Sequence, residues 1–176
     1  MRAIVTSDGI LTLQSARFRA ALGRGGVRPD KREGDGATPA GVLPVRRVLY
    51  RADRVAAPQC LVPVQPIMPS DGWCDDPAHP EYNCLVHLPI ADTCPPRLPV
   101  AAGAEALWRD DAVYDIIGVL GWNDAPVQPG MGSAIFLHVA RPDFAPTEGC
   151  VALTRNDLQR VLSLGLTEIV TIGRLE

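Results

Sequence analysis

The residues best suited to chemistry in this sequence are a histidine and a cysteine near its C-terminal end. His138 lies at the end of an apolar segment, and Cys150 directly follows Gly149 after a loop that contains proline. A thiolate is the attacking form of cysteine, and a neighbouring imidazole takes its proton and stabilises its charge. The backbone N–H groups around Gly149 and Cys150 can face the oxyanion of a tetrahedral intermediate. The pattern therefore predicts acyl transfer through Cys150, with its pKa depressed by a His138 imidazolium.

A structural role is the alternative for the same two residues. A histidine that ends a core strand is often simply buried, and a cysteine is often a small hydrophobic residue of the core. The preceding glycine and the loop favour catalysis, and access to the sulfur distinguishes the two interpretations.

A strand must position the histidine if the two residues are to meet. Side chains alternate along a strand, so Ala134, Phe136 and His138 share one face of the segment 134–139. Prolines at 142 and 146 limit strand continuation, so the chain has to turn after His138. The twelve residues that follow are enough to bring Cys150 back beside the end of this strand.

The rest of the chain indicates a mainly β domain. A helix is predicted over about 154–164, because Thr154 can cap it, an apolar stripe follows, and Gly165 can end it. The segment 23–41 is predicted as a glycine- and charge-rich loop, 66–99 as an irregular covering segment, and 101–109 as one or two helical turns. Strands are predicted at 3–6, 10–13, 16–22, 46–50, 113–120, 133–139 and 167–172.

Composition limits the classes of function. A chain of 176 residues with 47% hydrophobic content is expected to form a single domain over 1–176. The net charge of −3 argues against a nucleic-acid partner. No segment has the length and apolar character of a membrane span, and the N-terminal residues turn polar too early for a visible signal peptide. The sequence leaves a cytosolic location and export open.

The other cysteines allow two interpretations. Four of them fall in the middle of the chain, where an oxidising compartment could pair them and leave Cys150 free, although spacing does not give the pairing. These are Cys60, Cys74, Cys84 and Cys94. With His79 and His87 they include zinc-ligand types, but only Cys84 and His87 are closely spaced, so no metal and no other cofactor are expected.

Residues 132–153 resemble the catalytic signature of the L,D-transpeptidases, bacterial cell-wall enzymes with a YkuD-type domain. That signature has a histidine, then a loop that ends in Ser/Thr-His-Gly-Cys. The segment Gly36-Ala-Thr-Pro-Ala-Gly41 is similar to the family's Thr-Pro-x-Gly, and residues 114–124 resemble the strand and loop that lead to the site in a short, single-domain branch. Nearly the whole chain fits this branch.

The resemblance implies a YkuD-like β-sandwich with the cysteine in a groove. It implies that Cys150 is the nucleophile, His138 the base, Gly149 the residue before the nucleophile, and Thr147 the Ser/Thr position. Cys150 would attack the bond after the L-centre of diaminopimelate in a donor stem peptide, releasing D-alanine, and an amine of an acceptor stem would take the acyl group. Peptidoglycan stem peptides are then the partners, carbapenem-type compounds the expected inhibitors, and the periplasm or cell wall the expected location.

The chain also departs from the family pattern. Glu148 stands where a second histidine is common, Ala152 stands where Arg or Asn is usual, and the spacing from His138 to Cys150 is short. Donor and acceptor choice is therefore expected to differ from that of the common crosslinking enzymes. Some short members of the branch make 1,3-type crosslinks between two L-centres, and this product class is favoured over 3,3-type crosslinks.

Other candidates for substrate contact lie close to this segment. Arg141 is suited to hold a carboxylate, and Glu148 to receive an amine, although both are equally compatible with solvated loop residues. Trp122 and Asn123 are candidates for the wall of the groove, with plain packing as the alternative. Asp143 is expected to cap a turn, with orientation of His138 as its second interpretation.

Three functions remain open at this point. A transpeptidase passes the acyl group to an amine, and an L,D-carboxypeptidase or other hydrolase passes it to water from the same acyl-enzyme. A catalytically inactive cell-wall-binding module is the third. Product analysis separates the first two, and acylation of Cys150 by a carbapenem excludes the third.

Overall fold

The computed structural model describes residues 1–88 and 103–173, and these form a mainly β structure, as predicted. The only helix among them, α1, spans Arg155–Ser163. The strands are β1 (Arg2–Thr6), β2 (Ile10–Leu13), β3 (Ala16–Arg19), β4 (Val27–Arg28), β5 (Thr38–Pro39), β6 (Gly41–Tyr50), β7 (Val64–Pro66), β8 (Asp71–Cys74), β9 (Leu85–His87), β10 (Ala104–Ala106), β11 (Ile116–Leu120), β12 (Phe136–Val139), β13 (Val151–Leu153) and β14 (Glu168–Ile172).

Most strands belong to one large sheet with the order β13-β12-β11-β6-β14-β1-β2-β3, and β7 pairs with β6. The predicted hairpin near the N-terminus is confirmed by the antiparallel pairing of β1 with β2. At the other edge, β12 pairs antiparallel with β11 and parallel with β13. The chain therefore returns alongside β12 after the loop that follows it, as the spacing predicted.

Helix α1 confirms the prediction from its end signals. The hydroxyl of Thr154 accepts a hydrogen bond from the amide of Asp157 at 3.1 Å, which satisfies a free donor of the first turn. Gly165 has a φ of 88°, which suits a residue without a Cβ just beyond the helix end. Leu158, Val161 and Leu162 are fully buried against the sheet.

The large sheet separates two cores. The first is mainly aliphatic and contains the buried face of α1 together with Leu137 and Val151. The second is rich in aromatic residues and contains Trp73, Phe136 and Cys150. Because side chains alternate along each strand, neighbouring residues of β12 serve different cores.

The segments between 66 and 109 differ from the prediction. The described part of 66–99 is not purely irregular, because it contains β8 and β9, which form a small sheet in the order β10-β8-β9. The helical turns expected over 101–109 are wrong in the described part, because Ala104–Ala106 is strand β10. Pairing with β8 outweighs the helix propensity of Ala and Glu here. The small sheet covers the aromatic core.

The loop predicted at 23–41 contains the short parallel pair of β4 and β5, and its last residue, Gly41, begins β6. Isolated bridges fix the start of this loop: Ala21, just before it, pairs with Ala152 of β13, and Gly23 pairs with Thr147 in the turn before Cys150. Over the ranges 1–88 and 103–173, the structure contains no helix with the length and apolar character of a membrane span.

Candidate active site

Strand register brings the predicted histidine and cysteine to the same face of the sheet. In the parallel pair of β12 and β13, Leu137 lies opposite Val151 and His138 opposite Ala152. Cys150 immediately precedes this pairing, so it stands beside Phe136 and shares a face with His138. The two side chains are diagonal neighbours on adjacent strands, and both line one cavity.

Two backbone groups hold the sulfur of Cys150, one at the start of β12 and one just before that strand. The amide of Phe136 donates to Sγ at 3.4 Å, and the thiol donates to the carbonyl oxygen of Ala134 at 3.3 Å. Cys150 is 8% exposed, so the sulfur is largely but not fully enclosed. Burial raises the pKa of Cys150 to about 12, because the anion loses solvation that these contacts do not replace.

The ring of His138 is oriented by its own backbone. Its Nδ1 lies 3.0 Å from the carbonyl oxygen of Val139. A carbonyl only accepts, so Nδ1 carries the proton and Nε2 keeps a free lone pair. The ring also packs edge-on against Tyr114, with centroids 5.5 Å apart. Burial lowers the pKa of His138 to about 4, because the charged ring would be desolvated.

The expected thiolate–imidazolium pair is therefore wrong for the resting protein. Burial disfavours both charged forms, raising the pKa of the acid Cys150 and lowering the pKa of the base His138. At neutral pH the pair consists of a thiol and a neutral imidazole. An attack by sulfur then requires the proton to move during the reaction and not before it.

The turn before Cys150 is fixed by Thr147 and Gly149. The hydroxyl of Thr147 donates to the carbonyl oxygen of Cys150 at 2.7 Å and accepts from the amide of Gly149 at 3.2 Å. Gly149 has a φ of 140°, and a Cβ there would lie 2.9 Å from the carbonyl oxygen of Ala37. Only glycine fits both constraints. The amide of Gly149, expected to face an oxyanion, is already engaged by Thr147.

A cavity of about 330 Å³ opens in front of the pair and contains both signs of charge. It brings together five of the predicted residues, namely His138, Arg141, Thr147, Glu148 and Cys150. The complete lining comprises Glu33, Asp75, Glu105, Arg109, Val113, Tyr114, Ser133, Ala134, His138, Arg141, Ala145, Pro146, Thr147, Glu148, Cys150 and Ala152.

The two charged candidates of the loop differ in their partners. Glu148 forms an exposed ion pair with Arg24, whose Nε donates to both carboxylate oxygens at 2.9 and 2.8 Å. Arg141 is exposed, and within residues 1–88 and 103–173 it takes part in no salt bridge. The Arg141 guanidinium is therefore the more available of the two charges.

Three other candidates have structural contacts. Trp122 and Asn123 do not line the cavity. Trp122 donates to the carbonyl oxygen of Met131, and the side chain of Asn123 accepts from the amide of Gln128, so both hold their loop together. Asp143 accepts from the amide of Ala145 at 3.0 Å, which confirms its expected turn role.

Sequence reasoning missed several polar residues of the lining. Tyr114 donates to Glu105 at 2.7 Å, and burial raises the pKa of both residues. Glu33 accepts hydrogen bonds from Tyr82 and Ser133. Tyr114 and Ser133 lie in the predicted strand segments 113–120 and 133–139, which is a usable signal. Glu33 and Glu105 arrive from distant segments that no local pattern connects.

The two histidines considered as zinc ligands have other partners in the structure. His87 lies 3.2 Å from a carboxylate oxygen of Asp71, and His79 accepts from the amide of Glu81. In the described ranges, no three His, Cys, Asp or Glu side chains are grouped as metal ligands. Cys94 lies outside the described residues.

Comparison with known protein families assigns the chain as a whole. Residues 4–171 match the family model of the L,D-transpeptidase catalytic domain, YkuD, which covers nearly the whole chain. No curated protein matches the chain at a significant level.

Proposed function

The chain belongs to the YkuD family of L,D-transpeptidase catalytic domains, and we propose that it crosslinks peptidoglycan stem peptides through an acyl-enzyme on Cys150. The observation that carries this proposal is the register of β12 and β13, which gives Cys150 and His138 one face and one cavity. The free Nε2 lone pair of His138 adds a base of the required kind.

In the first half-reaction, Sγ of Cys150 attacks the carbonyl carbon that follows the L-centre of diaminopimelate in the donor stem. His138 accepts the thiol proton during this attack, because neither residue is charged at rest. The tetrahedral intermediate then expels D-alanine, whose amine takes the proton from His138. A thioester remains on Cys150.

In the second half-reaction, an amine of the acceptor stem attacks the thioester. His138 removes the proton from that amine and returns it to the sulfur as the C–S bond breaks. The products are a new amide crosslink and the free thiol of Cys150.

The charges of the cavity suit a substrate that carries both signs. Diaminopimelate stems have free carboxylates and an amine, and the lining includes guanidinium groups and carboxylates. Arg141, which has no ion pair in the described structure, binds a stem carboxylate. Glu148 receives the acceptor amine, with Arg24 as its partner when the site is empty.

We assign the 1,3-type product to this site, since Glu148 and Ala152 depart from the family pattern at positions that commonly shape the donor site. For that product Cys150 attacks the carbonyl carbon of the first stem residue, also an L-centre, and the rest of the donor stem leaves in the place of D-alanine. The location consistent with this substrate is the periplasm or cell wall. Transfer of the acyl group to water would make the protein an L,D-carboxypeptidase. That reaction uses the same acyl-enzyme and differs from crosslinking only in whether an acceptor amine or water reaches the thioester.

Two measurements test the proposal. Incubation with a carbapenem is expected to add one inhibitor mass to the intact protein, with the adduct on the Cys150 peptide and no adduct in Cys150→Ala. Incubation with purified stem-containing muropeptides is expected to give a crosslinked dimer and to release the leaving group of the donor, which is the stem beyond its first residue for a 1,3-type link and D-alanine for a 3,3-type link. Tandem mass spectrometry assigns the linkage. Release without a dimer would indicate the hydrolase, and a protein inert to both reagents would be a binding module.

A further inference from the structure

Two cysteines of the small sheet lie opposite each other. In the antiparallel pair of β8 and β9, Gly72 faces Val86 and Trp73 faces Leu85, so the next step places Cys74 opposite Cys84. The amide of Cys74 donates to the carbonyl oxygen of Cys84 at 2.9 Å, which continues the ladder through this pair.

A bulge keeps the two cysteines in register. The amide of Asn83 donates to the carbonyl oxygen of Cys74 at 2.8 Å, and Asn83 has a φ of 59°. In a G1 bulge two residues of one strand stand opposite a single residue of the other strand, and the first of the two has a left-handed backbone. Asn83 is the first residue here. Cys84 is that second residue, and it faces Cys74.

The backbone spacing of such a pair suits a disulfide. Directly opposite residues of antiparallel strands have Cα atoms about 4.5–5.5 Å apart, within the range of about 4.4–6.8 Å found for disulfides. Both residues are thiols in this structure. Formation of the bond requires side-chain rotation, while the strands already lie at a suitable separation.

The remaining described cysteines are engaged elsewhere. The thiol of Cys60 donates to the carbonyl oxygen of Val62 and packs against the aliphatic core. Cys150 is held by Phe136 and Ala134 on the large sheet. Neither belongs to the small sheet.

We propose that Cys74 and Cys84 form a cross-strand disulfide by exchange with an external disulfide, such as that of an oxidised dithiol oxidoreductase or glutathione disulfide. The exposed Cys84 attacks first as a thiolate, which breaks the external S–S bond, releases one external thiol and leaves a mixed disulfide on Cys84. The buried Cys74 then attacks the Cys84 sulfur and releases the second external thiol. Two electrons and two protons pass from the cysteines to the external disulfide, which leaves fully reduced.

The Cys74–Cys84 disulfide stabilises the residues whose backbone contacts the sulfur of Cys150. Trp73, next to Cys74, packs edge-on against Phe136 with centroids 5.1 Å apart. Asn83, next to Cys84, accepts from the amide of Ala134 at 3.1 Å. Phe136 and Ala134 are the two residues whose backbone holds Sγ of Cys150. Formation of the disulfide does not depend on the proposed function; only its effect on the nucleophile Cys150 rests on that proposal.

The test equilibrates the purified full chain with reduced or oxidised glutathione, followed by acid quenching, alkylation in denaturant and digestion without reductant. Under oxidising conditions a peptide joining Cys74 to Cys84 is expected in the wild type and in Cys94→Ser, but not in Cys84→Ser. Reduction is expected to lower the melting temperature by several degrees in the first two proteins and to leave it unchanged in Cys84→Ser. Cys60→Ser is the matched control and should behave as wild type.

A peptide that joins either cysteine to Cys94 instead would overturn the proposal, as would two alkylatable thiols at Cys74 and Cys84 after oxidation. Carbapenem acylation of Cys150, followed by intact mass in the same samples, reports on the proposed function separately. A protein with the disulfide but no carbapenem adduct would support the disulfide and contradict the proposed enzyme. A protein with the adduct but no disulfide would support the enzyme and contradict the disulfide.

Discussion

The two faces of the large sheet differ in what they bury. The face toward α1 is almost entirely aliphatic and is sealed by Leu158, Val161 and Leu162. The face toward the small sheet carries aromatic rings, an imidazole and a thiol, and it ends at the open cavity. Leu137 and His138 are neighbours in the chain but belong to different faces. Because side chains alternate along β12, the same strand contributes Leu137 to the aliphatic core and His138 to the cavity.

Cys150→Ala, on the face toward the small sheet, is expected to have the largest effect on activity of all the substitutions considered. The substitution removes the nucleophile, so carbapenem acylation and crosslinking should fall by at least about 10³-fold. The free energy of unfolding should change little, because only one sulfur atom is lost from the edge of the core. Intact mass, product analysis and thermal melting measure these effects. Wild-type turnover in this variant would remove Cys150 from the mechanism.

His138→Gln tests the base on the same face. Acylation should fall by about 10²–10⁴-fold, because no group then accepts the thiol proton during attack. Stopped-flow or timed mass measurements of carbapenem adduct formation give the rate. An unchanged rate would mean that another group carries the proton.

The same variant also tests the pH dependence of stability. Burial lowers the pKa of His138 from 6.5 to about 4, so the unfolded chain binds its proton first as the pH falls. His138 should therefore cost the native state stability progressively between pH 6.5 and 4, by on the order of 3 kcal/mol at the lower end. Denaturant unfolding across this range should show a steeper loss in wild type than in His138→Gln, and parallel curves would contradict a buried neutral imidazole.

Leu158→Ala is the counterpart on the aliphatic face. Truncating this fully buried side chain should lower the free energy of unfolding by about 3 kcal/mol, through lost burial and a residual cavity. The acylation rate of the folded protein should stay within about twofold of wild type. Denaturant unfolding and carbapenem acylation at low temperature measure the two effects. A large loss of acylation without unfolding would mean that the faces are coupled.

The smallest effect is expected from Glu148→Gln, which alters the mouth of the cavity. Its ion pair with Arg24 is exposed, so the melting temperature should hardly change. Carbapenem acylation, which needs no acceptor, should also be retained, while transfer to an acceptor stem should fall several-fold relative to hydrolysis. Arg24→Gln is the matched control, because it removes the partner and keeps the carboxylate. Equal transfer in wild type and Glu148→Gln would place the acceptor amine elsewhere.

The sequence predicted well those features that depend on neighbouring residues. Thr154 and Gly165 bound the helix, and the loop after His138 returned the chain beside its strand, because capping and strand alternation are local. The small sheet was missed, since β8 has little alternation and β10 has residues that favour helix.

The charge state of the site could not be read from the same residues. The sequence places an imidazole near a thiol, and this predicted an ion pair. The pKa values instead follow from burial, which depends on Trp73, Tyr114 and other residues from separate segments. Desolvation is a collective property of the packed structure, and residue types alone do not give it.

The parallel pairing of β12 and β13 has a consequence for engineering. His138 lies in β12 and Cys150 immediately precedes β13, while the exposed residues 141–143 of the connecting loop lie outside the ladder. Extra residues inserted there would enlarge the cavity mouth without displacing either residue. That segment is therefore a suitable place to graft new substrate preferences onto an unchanged reaction centre.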